Sequence, residues 1–71
     1  MRIIAFDNYS YLVKINNADN NCYLVDTKLK AVLGYDDPFK FMRFGNYREF
    51  DYKKSNKQLE KLIKSILNKN I

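Results

Sequence analysis

Apolar and polar positions alternate through the first half of the chain and then change period at its end. Arg2 to Phe6, Tyr11 to Ile15 and Cys22 to Asp26 each read as short strands with side chains on alternating faces. Between them lie the clusters Asp7-Asn8-Tyr9-Ser10 and Asn16 to Asn21, rich in residues that bond their own backbone and favour turns. Pairing Phe6 with Tyr11 would set Ile4 against Val13 and Arg2 against Ile15, which makes one face nearly all apolar. Ala31 to Tyr35 reads as a fourth strand. A rival reading has Asp26 capping a short helix that carries Leu29, Val32 and Leu33, closed by Gly34 in a left-handed conformation.

A hairpin is expected next. Phe39 to Phe44 and Tyr47 to Lys53 alternate on either side of Gly45-Asn46, a glycine-first two-residue turn. Pairing Phe44 with Tyr47 would oppose Phe41 to Phe50, Phe39 to Tyr52 and Lys40 to Asp51. The preceding Asp36-Asp37-Pro38 reads as a turn.

From Ser55 onward the period becomes helical. Leu59, Leu62, Ile63, Ile66 and Leu67 form an i, i+3, i+4, i+7, i+8 stripe. Ser55 and Gln58 have the spacing of a capping box. An isolated helix of this length is marginal in water, so the stripe needs a partner. The four aromatics of the hairpin, Phe39, Phe41, Phe50 and Tyr52, are the expected surface. The predicted fold is α+β: a curled antiparallel meander of five or six strands within 2–53, packed against one C-terminal amphipathic helix over 55–70, as a single domain of 1–71.

Composition narrows the chemistry. The chain has 71 residues and no histidine, so the usual acid-base group near neutral pH is missing. Ser10 and Ser65 have no evident base, and Ser55 is explained as a cap. The lone Cys22 sits in an apolar strand and reads as a buried structural thiol. The carboxylates Asp26, Asp36, Asp37, Glu49 and Asp51 could form an acid pair, yet Asp36-Asp37 is more simply turn chemistry. Gly34 and Gly45 stand alone and form no phosphate loop, and no metal-ligand spacing occurs. The expectation is a protein that is not an enzyme and uses no cofactor or metal.

One cysteine excludes an internal disulfide and fits a reducing compartment. The apolar run at the N-terminus is too short for a signal segment, and no run approaches the roughly 18 apolar residues of a membrane span. A cytoplasmic location is expected, in the host cell if the chain is phage-encoded. Asn, Lys, Ile, Tyr, Phe and Met make up more than half the residues. Their AT-rich codons give the chain the look of a phage or mobile-element product.

A net charge of +5 favours anionic partners. Arg43 and Arg48 would face each other at the hairpin tip, where like charges repel unless an anion neutralises them. Phe44 and Tyr47 flank the same turn as outward aromatic anchors. Lys57, Lys61 and Lys64 form a secondary basic stripe at i, i+4, i+7. The expected function is a small binding protein that inhibits or modulates a larger host machine by surface contact, of anti-CRISPR or other anti-defence type, with a protein or ribonucleoprotein partner. The alternative is a single-stranded nucleic-acid-binding sheet, in which aromatics stack bases and lysines track phosphates. A homodimeric structural subunit is the third reading.

Overall fold

The computed structural model describes residues 1–41 and 57–71. Four strands, β1 (Arg2–Ala5), β2 (Ser10–Lys14), β3 (Cys22–Asp26) and β4 (Ala31–Asp36), form one antiparallel sheet in the order β1-β2-β3-β4. A single helical turn, α1 (Pro38–Phe41), follows β4, and the helix α2 (Lys57–Asn70) lies at the C-terminal end. The architecture is α+β as expected, with four strands among the described residues rather than five or six.

Two strands repeat one pattern. β2 and β3 both carry Tyr-Leu-Val, and their pairing sets Tyr11 against Val25, Leu12 against Leu24 and Val13 against Tyr23. Aromatic against β-branched is a favourable cross-strand pair. It also sorts the side chains by face. Tyr and Val go to one side, and both leucines go to the other.

Each side of the sheet therefore has its own core. On the first, Ile3, Val13 and Val25 bury against Ile63, Ile66 and Leu67 of α2, with Tyr11, Tyr23, Val32 and Leu59 around them. On the second, Ile4, Phe6, Leu12, Cys22 and Leu24 cluster with Phe41. The α2 stripe thus packs on the meander itself, and not on an aromatic hairpin face. Leu62, at the flank of the stripe, stays 37% exposed.

The first hairpin is shifted by one residue from the expected register. Ile3 pairs with Val13 and Ile4 with Leu12. Ser10 joins β2, and the loop shortens to Asp7-Asn8-Tyr9. The Phe6 N–H donates to the Ser10 carbonyl at 2.8 Å, and Asp7 Oδ1 accepts from the N–H groups of Tyr9 and Ser10 at 2.8 and 2.7 Å. A slip of one normally turns a buried face out to water. Here both faces are buried, so the hydrophobic pattern does not select the register, and the Asp7 turn does.

The segment after β3 resolves in favour of the strand. Asp26 Oδ1 accepts from the N–H groups of Lys28 and Leu29, both at 2.8 Å, which closes a turn instead of opening a helix. Lys30 takes the left-handed position of that turn, at φ 52°. Gly34 has no positive φ. Its role is clearance: a Cβ there would lie 3.2 Å from Cε1 of the Phe41 ring.

Phe39 to Phe41 were expected to begin a strand. They are helical because Pro38 sits at the first helical position, where its fixed φ is suited and its missing N–H costs nothing. Asp37 caps the turn, with Oδ1 accepting from the Phe39 N–H at 2.8 Å. Phe41 turns into the second core, and Phe39 is 70% exposed, so the two no longer share a strand face. The remainder of the expected hairpin and the cap at Ser55 lie outside the described residues.

Candidate functional site

The placement of α2 decides which of its side chains are free to bind. Ile63, Ile66 and Leu67 point into the sheet and fix the rotation of the helix. Lys57, Lys61 and Lys64 then lie on the outer side, all exposed, in one row at i, i+4, i+7. The C-terminal end is tied down separately. Asn70 Nδ2 donates to the Ile66 carbonyl at 2.8 Å and to the Lys30 carbonyl at 3.4 Å, which links the last turn of α2 to the β3–β4 turn. The expected lysine stripe therefore exists as one continuous surface on a held helix. Arg43, Phe44, Tyr47 and Arg48, the expected hairpin site, lie outside the described residues.

Charge is divided sharply along the chain. Residues 1–41 carry five basic side chains (Arg2, Lys14, Lys28, Lys30, Lys40) and five acidic ones (Asp7, Asp19, Asp26, Asp36, Asp37). They are neutral as a unit, so the whole net charge of +5 belongs to residues 42–71. Counting charge by segment would have found this from sequence alone.

The five aspartates of the sheet region share one occupation. Each has a carboxylate oxygen on a backbone N–H: Asp7 on Tyr9 and Ser10, Asp19 on Asn21, Asp26 on Lys28 and Leu29, Asp36 on Asp37, and Asp37 on Phe39. The Asp37 N–H that Asp36 accepts, with Lys40 beside it at 3.4 Å, holds the Asp36 carboxyl below its ordinary value. Asp36 and Asp37 therefore have opposite needs from a shared proton, since both bond as anions to local donors. Their geometry is that of turn building.

Cys22 is buried on the second face, and its Sγ–H donates to the Asp36 carbonyl at 3.6 Å. Burial, with the Asp37 charge nearby, pushes its pKa up from 9.0 to about 11. A thiol held in its protonated form is a poor nucleophile. Beside it opens a cleft of about 170 Å³, bordered by Lys14, Asn20, Asp37 and the exposed ring of Phe39. Among the described residues no group of three or more Cys, Asp or Glu side chains is placed to hold a metal ion. No helix among them is long and apolar enough to cross a membrane.

Compared with known protein families, with curated proteins and with solved structures, the chain matches none of them.

Proposed function

We propose that the protein is a non-catalytic binding protein that occupies an anionic surface of a larger nucleoprotein machine and thereby inhibits or modulates it, in the manner of an anti-CRISPR or other anti-defence inhibitor. The observation that carries this reading is the division of charge. A neutral sheet supports a C-terminal segment that holds the whole net charge of +5, and three of its lysines form a row on the outer side of a fixed helix. A ribonucleoprotein offers what such a surface requires, exposed phosphates beside protein. Electrostatic complementarity of this kind speeds encounter and orients the partner.

The composition adds to this reading. A chain with no histidine, whose one thiol is pushed to about pKa 11, is poorly equipped for acid-base or nucleophilic chemistry. The AT-rich residue usage fits a phage or mobile-element origin.

The second reading, base stacking on an open sheet, has less support. Leu12, Val13, Cys22 and Val25 are buried, so the central strands β2 and β3 are covered on both faces. Tyr23 and Tyr35 pack on each other, with ring centroids 4.4 Å apart.

A fluorescence-anisotropy titration separates the two. The labelled protein is titrated with mixed-sequence RNA, with single-stranded DNA and with a guide-RNA-loaded CRISPR effector, at low and at physiological salt. The proposal expects effector binding that survives physiological salt, and free nucleic acid binding that is weak and falls steeply with salt. Tight binding to free RNA or DNA at physiological salt would replace the proposal with the nucleic-acid reading.

A further inference from the structure

Two of the four strands are edges, and β4 is the open one. It pairs with β3 on its inner side, and among the described residues no strand lies on its outer side. An open edge is a row of unpaired N–H and C=O groups, and proteins commonly guard it with lysine or proline. Ala31–Asp36 contains neither. Its register against β3 jumps from Leu24–Gly34 to Val25–Val32, which leaves Leu33 as the extra residue. Leu33 is 52% exposed and Tyr35 45% exposed. Apolar side chains are therefore displayed along an unguarded edge.

We propose that β4 is the seam of a homodimer, pairing antiparallel with the β4 of a second copy about a two-fold axis at Leu33. Three features of the strand favour its own copy as the occupant. In this register each Lys30 faces an Asp36, opposite charges at both ends of the seam. Ala31 faces Tyr35 and Val32 faces Gly34, a small residue against a larger one at each step. Centring the axis on Val32 or Gly34 loses the Lys30–Asp36 match. The sheet region is also neutral, so two chains of net charge +5 can meet along it without opposing their basic segments. A C2 interface of this kind is self-complementary, as the rule for isologous contacts requires.

The axis makes a sharp test. Residues opposite each other across an antiparallel pair have Cα atoms about 4.5–5.5 Å apart, within the span a disulfide bridges. Leu33→Cys should therefore cross-link to itself under mild oxidation and run as a dimer on a non-reducing gel. Leu29→Cys, also exposed but off the axis, should remain monomeric. Buried Cys22 provides the same background in both. Wild type should sediment as a concentration-dependent dimer, and Leu33→Lys, which sets two like charges on the axis, should weaken it at least about tenfold. A Leu33→Cys chain that stays monomeric overturns the proposal, whether wild type is a monomer or dimerises elsewhere. So does equal cross-linking of Leu33→Cys and Leu29→Cys, which would indicate random collision. Leu33→Lys is read only if its melt matches wild type; otherwise the cysteine pair decides.

Discussion

In residues 1–41 every aspartate is bonded to a backbone N–H, and apolar side chains are buried on both faces of the sheet. In α2 the same division is made across a single element: Ile63, Ile66 and Leu67 go inward, while Lys57, Lys61 and Lys64 face water without a structural task. The difference separates what shapes the protein from what it can offer a partner. Charge in the sheet region is cancelled and turned to making turns. Charge on the helix is uncompensated and displayed. Substitutions in the two regions should therefore fail in different ways.

The largest effect is expected where the two regions meet. Ile63 is fully buried between α2 and the strands. Ile63→Ala should lower unfolding stability by about 2–5 kcal/mol, read by thermal or urea melts. A cost below about 1 kcal/mol would show that the helix is only loosely attached. Next comes the close approach of Gly34 to Phe41. Gly34→Leu overfills the second face and should cost about 1–3 kcal/mol. Smaller still is the loss of a turn carboxylate. Asp26→Ala removes two bonds from the β3–β4 turn and should cost about 1 kcal/mol, and Asp37→Ala should do the same at α1. By contrast, changing Lys57, Lys61 and Lys64 to alanine should leave stability within about 0.5 kcal/mol of wild type, as for other surface sites.

Cys22 supplies a pH test of the sheet region. Its native pKa of about 11 lies above the ordinary 9.0, so the folded state holds the proton more tightly than the unfolded one. The stabilisation is complete below pH 9 and is lost as pH rises from 9 to about 11. At pH 8 the shift alone leaves about a hundredfold less thiolate than in the unfolded chain. Alkylation should be slower by at least that factor in native buffer than in urea. Equal rates would place the thiol in solvent.

Much of this arrangement was legible in the residues. The first three strands, the polar Asn16 to Asn21 loop, buried Cys22 and the outward lysine row follow from period and composition. The register of β1 on β2 did not, because strands apolar on both faces give no preferred side, and the deciding signal was the reach of Asp7 to two backbone donors. The start of the expected hairpin misled for another reason. Phe39 and Phe41 alternate like a strand, but Asp37-Pro38 is the cap and first position of a helical turn, and local backbone chemistry outweighed a two-residue alternation. Packing α2 on an aromatic hairpin overlooked the Tyr-Leu-Val pairs, which build a flat apolar surface from two strands that each look half polar. Opposing Leu33 to its own copy depends on strand order, which no local pattern carries.

The most direct test of the division is the anisotropy titration of the Lys57→Glu, Lys61→Glu, Lys64→Glu triple variant against the guide-RNA-loaded effector. The account predicts at least a tenfold loss of affinity with a wild-type melt, about 1.4 kcal/mol of binding removed without a change in fold. Unchanged affinity in a folded triple variant would contradict it, because the displayed charge would then have no part in binding.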